Sequence, residues 1–247
     1  MTVETEQDIV GLMKIGNIVG RAIQIMQEKI RPGMTTKALD EIGEAYLNEH
    51  HARSAPIITY GYPGVTCISI DDEAAHGIPG KRVIREGDLV KIDVSAELDG
   101  YFADSNITVA VGEISPRKQQ LIDSTREALT KAIAAAKVGR PLNEIGKAAE
   151  NTVRRYGFNV IRDLPGHGVG RGLHESPTVP NFYLRRANTR LREGMVFTIE
   201  PHVAMGAGEI MTDRDGWTLR TRDGSAVASF EHTIIVAQGE PILVTAV

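Results

Sequence analysis

The sequence is poor in cysteine and in aromatic residues. Cys67 is the only cysteine, and Phe, Tyr and Trp together make up 5% of the 247 residues. A single thiol excludes an intramolecular disulfide and a cysteine-based zinc site. The scarcity of aromatics disfavours a base-stacking surface for nucleic acid. The net charge of −4 provides no basic field that would attract nucleic acid or an anionic membrane.

Targeting and membrane-spanning patterns are missing as well. Residues 2–8 are polar and acidic, so Met1 is not followed by the cationic and apolar regions of a secretion signal. No apolar run approaches the roughly 18 residues that are needed to cross a bilayer. We therefore expect a protein that acts in the reducing cytoplasm and does not contact a membrane.

Four stretches carry helical periodicity or helix-boundary residues. The first helix should begin at Thr5, which with Asp8 has the pattern of a capping box, and should end at the Arg-Pro-Gly of residues 31–33. Ser115 followed by Pro116 should open the third. The expected helices cover residues 5–30, 36–51, 115–138 and 142–156, and β-like runs cover residues 89–94, 107–111, 195–199 and 232–236.

The chain contains an internal repeat. Residues 85–93, Arg-Glu-Gly-Asp-Leu-Val-Lys-Ile-Asp, match residues 192–200, Arg-Glu-Gly-Met-Val-Phe-Thr-Ile-Glu, and a second pair of strands also matches. Two copies are too few for a solenoid, and no linker separates them. We therefore expect a single domain, 1–247, made of two halves, roughly 1–112 and 113–247. Each half should contain helices and a β-hairpin, packed about a pseudo-twofold axis.

Four carboxylates stand at matching places in the two copies. The first strand of each copy ends in Asp93 or Glu200, and the second strand begins with Asp104 or Glu231. The Asp-Gly of residues 99–100 is a strong hairpin turn that would bring the first two acids together. Taken singly, each acid is explained as a solvated strand end. Four acids that converge beside apolar strands need compensating positive charge, which two divalent cations would supply.

A glycine-rich segment adds histidines. Residues 165–174 read Pro-Gly-His-Gly-Val-Gly-Arg-Gly-Leu-His. Glycines allow the backbone to approach a ligand closely, and one histidine nitrogen among the ligands would favour a transition metal over magnesium or calcium. A glycine loop with surface histidines explains this segment alone equally well. It does not fit a dinucleotide fingerprint, and the chain has no G-x-S-x-G nucleophile elbow.

The combination of these features is specific. The five candidate ligands in this order, together with the segments Pro-Gly-His-Gly-Val-Gly-Arg, Thr-Ile-Glu-Pro and Phe-Glu-His-Thr, resemble the type I methionine aminopeptidases in their short bacterial form over essentially the whole chain. The resemblance implies the pita-bread fold of class α/β (α+β), with two pseudo-twofold-related halves, a central antiparallel sheet and helices outside. It implies a metallo-exopeptidase that removes the initiator methionine from nascent proteins when the next residue is small, by attack of water activated by two metals.

The resemblance also implies a role for each matching residue. Two divalent ions per chain, of cobalt, manganese, iron or zinc, would be held by Asp93, Asp104, His167, Glu200 and Glu231. Asp93 would bind one ion and His167 the other, and the remaining three acids would join both. The implied catalytic residues are His76, His174 and Glu200. The implied substrate contacts are Tyr62, Cys67, His76, Leu173, His174 and Trp217.

Two residues depart from the usual bacterial pattern. Leu173 stands in place of the usual phenylalanine, and Ala75 stands where many members carry a cysteine before His76. Neither is a metal ligand, and both bear on the shape of the substrate pocket. The partners implied by the resemblance are the N-termini of nascent polypeptides and, further, the ribosome, with no direct contact to nucleic acid or membrane. A monomer is expected.

Three rival functions use similar residues. Prolidase and aminopeptidase P share the fold and the five-ligand pattern, but they carry a large additional N-terminal domain that has no counterpart here. A binding protein without catalysis on the same scaffold is expected to have lost ligands. A two-metal phosphatase or nuclease uses similar carboxylates, but it would need basic residues to hold phosphate.

Overall fold

Three of the five helices are capped by a side chain at their N-termini, in a computed structural model that describes residues 1–247. The expected capping box is present, since the Thr5 side chain accepts the N–H of Asp8 and the Asp8 carboxylate accepts the N–H of Thr5. The helix opened by Pro116 ends at Ala135, three residues before the expected end, because Ala136 leaves the helical conformation. The helices are α1 (Glu6–Lys29), α2 (Thr36–Glu49), α3 (Ala55–Tyr60), α4 (Pro116–Ala135) and α5 (Asn143–Arg154), of which α3 was not expected.

Fifteen strands form four sheets, and every strand pair is antiparallel. The two larger sheets have the orders β1-β4-β2, with β5 beside β4, and β15-β14-β9-β7-β8. The strands are β1 (Arg53–Ser54), β2 (Cys67–Ile70), β3 (Glu73–Ala75), β4 (Leu89–Leu98), β5 (Tyr101–Ala110), β6 (Asn159–Val160), β7 (Gly166–Gly168), β8 (Glu175–Val179), β9 (Val196–Ile199), β10 (His202–Ala204), β11 (Ile210–Thr212), β12 (Leu219–Thr221), β13 (Val227–Ser229), β14 (His232–Ile235) and β15 (Ile242–Leu243).

The repeated strand pairs differ in their connection. In the first half β4 and β5 form the expected hairpin, and its turn residues Asp99 and Gly100 both have positive φ, 54° and 81°. In the second half β9 and β14 pair in the same antiparallel way, with Ile199 opposite His232. The expectation of a second hairpin was wrong, because strands β10 to β13 are inserted between them and form two small sheets with β6 and β3.

Two hydrophobic cores lie under the helices. One is formed by α1 and α2 against the β4 sheet, with Leu12 and Ile92 fully buried. The other is formed by α4 and α5 against the β9 sheet, with Phe158 and Phe197 almost completely buried. Each helix pair thus covers one face of one large sheet. The other face of each sheet remains available for a functional site. The division of the chain near residue 112 stays a prediction.

Helix α1 departs from one expectation. By length and composition it could cross a membrane, since an 18-residue window reaches a mean hydropathy of 1.3. Half of that window is buried inside the protein, and residues such as Ile15 and Val19 are fully buried in the first core. Because a buried core helix passes the same test of composition, the packing accounts for the apolar sequence.

The two halves meet along β5 and the segment that leads into β14. The N–H of Glu231 donates to the carbonyl of Asn106 at 2.9 Å, and the Ser105 hydroxyl donates to the carbonyl of Glu231 at 2.6 Å. Further along, the N–H of Ser229 donates to the Thr108 hydroxyl at 2.8 Å. These bonds hold the acids of the repeat against each other at the junction.

Candidate metal centre and its cavity

A cavity of about 700 Å3 opens at the junction of the halves. The candidate ligands and substrate contacts come from well-separated parts of the chain, yet all of them line it: Asp93, Asp104, His167, Glu200, Glu231, Tyr62, Cys67, His76, Leu173, His174 and Trp217. The structure therefore brings the complete predicted set together. The role of each residue remains a prediction.

Strand register places the acids on one face. Asp104 on β5 lies opposite Ser95 on β4, so Asp93 is its diagonal neighbour on the same side of the sheet. The carboxyl groups of Asp93 and Asp104 therefore lie close enough for each to shift the pKa of the other. Glu200 directly follows β9 and Glu231 directly precedes β14, at one end of that strand pair. The internal repeat therefore accounts for the convergence of all four acids.

His167 on β7 joins the acids. Its Nε2 lies 3.7 Å from Asp104 Oδ2 and 3.4 Å from Glu200 Oε1. Ligand atoms of Asp104, His167 and Glu231 all lie within 4.8 Å of one another. The Nδ1 of His167 is 3.0 Å from the carbonyl oxygen of Gly168. Because a carbonyl only accepts, Nδ1 carries the proton and Nε2 is left as the lone-pair nitrogen that a cation requires.

The electrostatics of the cluster call for a cation. Burial raises the pKa of Asp93 to about 7, and burial together with neighbouring carboxylates raises the pKa values of Asp104, Glu200 and Glu231. Burial, with His174 nearby, lowers the pKa of His167 to about 3, so this ring cannot supply the positive charge. Asp104 Oδ1 and Glu231 Oε1 are buried without any hydrogen-bond partner. These orphaned oxygens and the single nitrogen fit divalent metal ions.

Thr198, two residues before Glu200, orders two of the candidate ligands. Its hydroxyl donates to Glu200 Oε1 at 2.8 Å and accepts the backbone N–H of His167 at 3.0 Å. One side chain therefore fixes both a carboxylate and the strand that carries the histidine. The sequence analysis of the ligands did not identify this residue, although its place in the repeat, two before the acid, was visible.

Two polar side chains reach across the junction and hold Glu231 and Asp104. Asn106 donates to Glu231 Oε2 at 2.9 Å. Thr233 accepts the N–H of Asp104 at 3.0 Å and donates to the carbonyl of the same residue at 2.8 Å. Both follow a repeat acid by two residues, which is the signal that could have identified them.

One wall of the cavity is apolar. The rings of Tyr62 and Trp217 meet edge to face with centroids 5.2 Å apart, and the Tyr62 hydroxyl donates to the carbonyl of Gly77 at 2.7 Å. Leu173 and the thiol-bearing Cys67 are buried beside the cavity. Burial raises the pKa of the Cys67 thiol, so it is a protonated wall residue and no nucleophile.

Two further histidines face the cavity. His76 has a positive φ of 55°, which is unfavourable for a residue other than glycine and common at functional positions. The ring of His174, just before β8, lies 4.1 Å from that of His167. Desolvation lowers the pKa of both, and His174 further lowers that of His76. Both rings are therefore neutral near pH 7 and can donate a hydrogen bond.

Sequence reasoning missed Tyr60 and Glu175, which also line the cavity. The Tyr60 hydroxyl lies 2.7 Å from Nδ1 of His174. Glu175 accepts the backbone N–H groups of Arg171 and Gly172, both at 2.6 Å, and contacts the amino group of Met1. Glu175 was visible as the neighbour of His174, whereas Tyr60 gave no signal because the short helix α3 was not expected.

Known proteins match the chain along its whole length. The model of metallopeptidase family M24 matches residues 11–238. Methionine aminopeptidase 2 of Bacillus subtilis is 45% identical over 247 residues, which are 99% of each chain. The crystal structure of methionine aminopeptidase from Thermotoga maritima superimposes with a TM-score of 0.97 at 37% identity and covers 100% of both chains.

The rival exopeptidase is a more distant match. The prolidase from Pyrococcus horikoshii superimposes with a TM-score of 0.78 at 25% identity, and only 63% of that chain is covered. The shared part is the pita-bread fold, and the remainder of the prolidase has no counterpart in these 247 residues. The chain therefore belongs to metallopeptidase family M24 and, within it, to the methionine aminopeptidases.

Proposed function

We propose that the protein is a methionyl aminopeptidase that removes the initiator methionine from nascent polypeptides when the next residue is small, with two divalent metal ions at its acidic cluster. The observation that carries this proposal is the meeting of two surfaces in one cavity. The five candidate ligands form one side, where Asp104 and Glu231 each have a buried oxygen without a hydrogen-bond partner, and the Tyr62–Trp217 wall forms the other. An amino terminus and a thioether side chain would each find its complement there.

Five residues would hold the metals. Asp93 would bind one ion, His167 the other, and the acids that join both would be Asp104, Glu200 and Glu231. When bound, a pair of divalent ions acidifies water toward neutral pH and polarises a carbonyl group. Oxygen and imidazole ligands admit cobalt, manganese, iron or zinc.

The protein's own groups would position the peptide and move its protons. The Nε2–H of His174 would donate to the carbonyl oxygen on which negative charge develops. His76 would bond the scissile nitrogen. The carboxylate of Glu200, fixed by Thr198 at 2.8 Å, would carry a proton from water to the leaving amine.

Specificity would follow from charge and shape. Buried acids attract the ammonium group of a free N-terminus, which favours an exopeptidase over an endopeptidase. Methionine is long, unbranched and polarisable, and its sulfur gains from contact with the rings of Tyr62 and Trp217. Cys67 and Leu173 would close the pocket around it.

The cellular setting follows from the same proposal. The substrates would be the N-termini of newly made chains in the cytoplasm, where a free thiol such as Cys67 stays reduced. The ribosome would be the place of encounter, and the enzyme would act as a monomer.

Peptide cleavage tests the proposal. Purified protein, stripped of metal and refilled with each candidate ion in turn, should release methionine from Met-Ala-Ser. The peptide Met-Leu-Ser serves as the control for the small second residue, Ala-Pro as the prolidase substrate, and p-nitrophenyl phosphate as the phosphatase substrate. Cleavage of Ala-Pro or the phosphate ester without release of methionine would refute the proposal.

A further inference from the structure

Tyr60 is the last residue of α3, at the mouth of the cavity. Gly61 ends the helix in the left-handed conformation with φ 68°, and its N–H bonds to the carbonyls of Ile57 and Pro56. About half of the Tyr60 side chain is exposed to solvent. The residue therefore contributes little to the hydrophobic cores, and its ring is free to serve the site.

The hydroxyl of Tyr60 reaches across the cavity to His174. Its Oη lies 2.7 Å from Nδ1, and the two rings are tilted by 48° with centroids 5.5 Å apart. Tyr60 belongs to a first-half helix, whereas His174 belongs to the glycine-rich segment of the second half. This is the hydrogen bond that the structure gives to the His174 ring.

The bond between Tyr60 and His174 can run in either direction, and its direction decides the tautomer of His174. A neutral imidazole has one N–H and one lone-pair nitrogen, and which nitrogen carries the proton depends on the partner of the other. A phenol at neutral pH has a proton to donate. If Tyr60 donates to Nδ1, the proton of His174 must reside on Nε2.

We propose that Tyr60 is a positioning residue that holds His174 in the Nε2–H tautomer and aims that N–H at the carbonyl oxygen of the bound peptide. The inference rests on the proposed function, in which His174 supplies this hydrogen bond. Tyr60 need not touch the substrate, because it acts through the opposite nitrogen of the ring. An opposing arrangement, with the proton on Nδ1, would turn a lone pair toward the developing negative charge.

The hydroxyl can be removed without removing the ring. Tyr60→Phe should lower kcat about 2- to 10-fold, the effect of one hydrogen bond, and leave KM nearly unchanged. Tyr183→Phe is the matched control, since Tyr183 is similarly exposed but lies outside the cavity. Tyr183→Phe should leave both kcat and KM unchanged.

The tautomer itself can be measured. In zinc-loaded protein with ¹⁵N-labelled histidine, the His174 signal is identified by its disappearance in His174→Ala. The parent should show a protonated Nε2 and an accepting Nδ1, and Tyr60→Phe should shift both nitrogens toward a mixture of tautomers. Tyr183→Phe should leave both unchanged.

A double-mutant cycle separates this inference from the proposed function. Tyr60→Phe should add no loss in a His174→Ala background. If His174→Ala is impaired but Tyr60→Phe changes neither the nitrogen shifts nor kcat, the inference fails and the proposed function stands. If Tyr60→Phe lowers kcat equally without His174, Tyr60 acts directly and the inference is again overturned. If His174→Ala itself is fully active, the proposed role of His174 fails, and the inference fails with it.

Discussion

The two halves place their second-strand acids alike and support them differently. Asn106 and Thr233 each follow an acid of the repeat by two residues. Asn106 bonds the carboxylate of Glu231, whereas Thr233 bonds both backbone groups of Asp104. Each half therefore holds the acid of the other half. Asp104 and Glu231 receive this support only where the two halves meet. A duplicated unit can therefore create a site that a single copy lacks.

The position two residues before the first-strand acid shows a sharper contrast. In the first half this is Lys91, whose buried side-chain nitrogen donates to the carbonyls of Asp71 at 2.8 Å and Val227 at 3.1 Å. In the second half it is Thr198, which orders Glu200 and the strand of His167. One copy thus uses the position to fasten the halves together, and the other uses it to order ligands.

The largest effect should come from the acids that both halves contribute equally. Removing metal with a chelator should abolish methionine release, and a divalent transition metal should restore it. Asp104→Ala and Glu231→Ala should each lose metal and turnover, because each acid would join both ions. Metal analysis beside kcat measures this. Two retained metals and a near-normal rate in Glu231→Ala would show that the halves are not equivalent ligand donors.

His167 and His174 should break the symmetry between the halves, since both belong to the second half. His167→Ala should lose metal. His174→Ala should keep metal close to that of the parent and lose about 10²–10³ in kcat, the effect of one oxyanion donor. Metal stoichiometry and kcat of both variants decide the matter. An active His174→Ala, or one without metal, would contradict the assignment.

Much of the arrangement of the acids could be predicted, because the repeat is visible in short segments of the sequence. Asp93 and Glu200 end matching apolar runs, and Asp99 with Gly100 specifies a tight turn, so the convergence of the acids followed from pattern alone. The supports were not predictable in the same way. Lys91 bonds backbone carbonyls that only the fold brings near, and no periodicity marks such a contact. Tyr60 lies on a helix of six residues, too short to give a periodic signal.

Substitutions of Lys91 and Thr198 should have different effects, the first on stability and the second on catalysis. Lys91→Met should lower the free energy of unfolding by about 2 kcal/mol, because the Val227 carbonyl loses the donor that Lys91 provides and the Asp71 carbonyl keeps only the N–H of Val227. Removal of the buried amine offsets part of this loss. The kcat of Lys91→Met should change little. Thr198→Val keeps the shape of the side chain but loses both hydrogen bonds, so kcat should fall about 10-fold with modest loss of stability.

Denaturant unfolding and steady-state kinetics on the same preparations measure both quantities. Thr212→Val, at an exposed strand position, is the control for the loss of a threonine hydroxyl and should affect neither. Equal losses of stability in Lys91→Met and Thr198→Val, with unchanged kcat in both, would remove the contrast between the halves.

The smallest expected effect concerns Leu173, which the second half contributes to the pocket wall. Leu173 is buried beside the cavity, which the first-half residues Tyr62 and Cys67 also line. Leu173→Phe introduces a larger, flat side chain, which should narrow the pocket and change discrimination among N-terminal methionine, norleucine and leucine. A change of this size in an apolar pocket is worth about 1–3 kcal/mol, and the rate on methionine should change only modestly. Leu173→Met, which conserves volume, is the control and should leave the order of preference intact. Unchanged kcat/KM for all three peptides in Leu173→Phe would mean that Leu173 does not contact the substrate side chain, and that Tyr62, Cys67 and Trp217 set specificity without it.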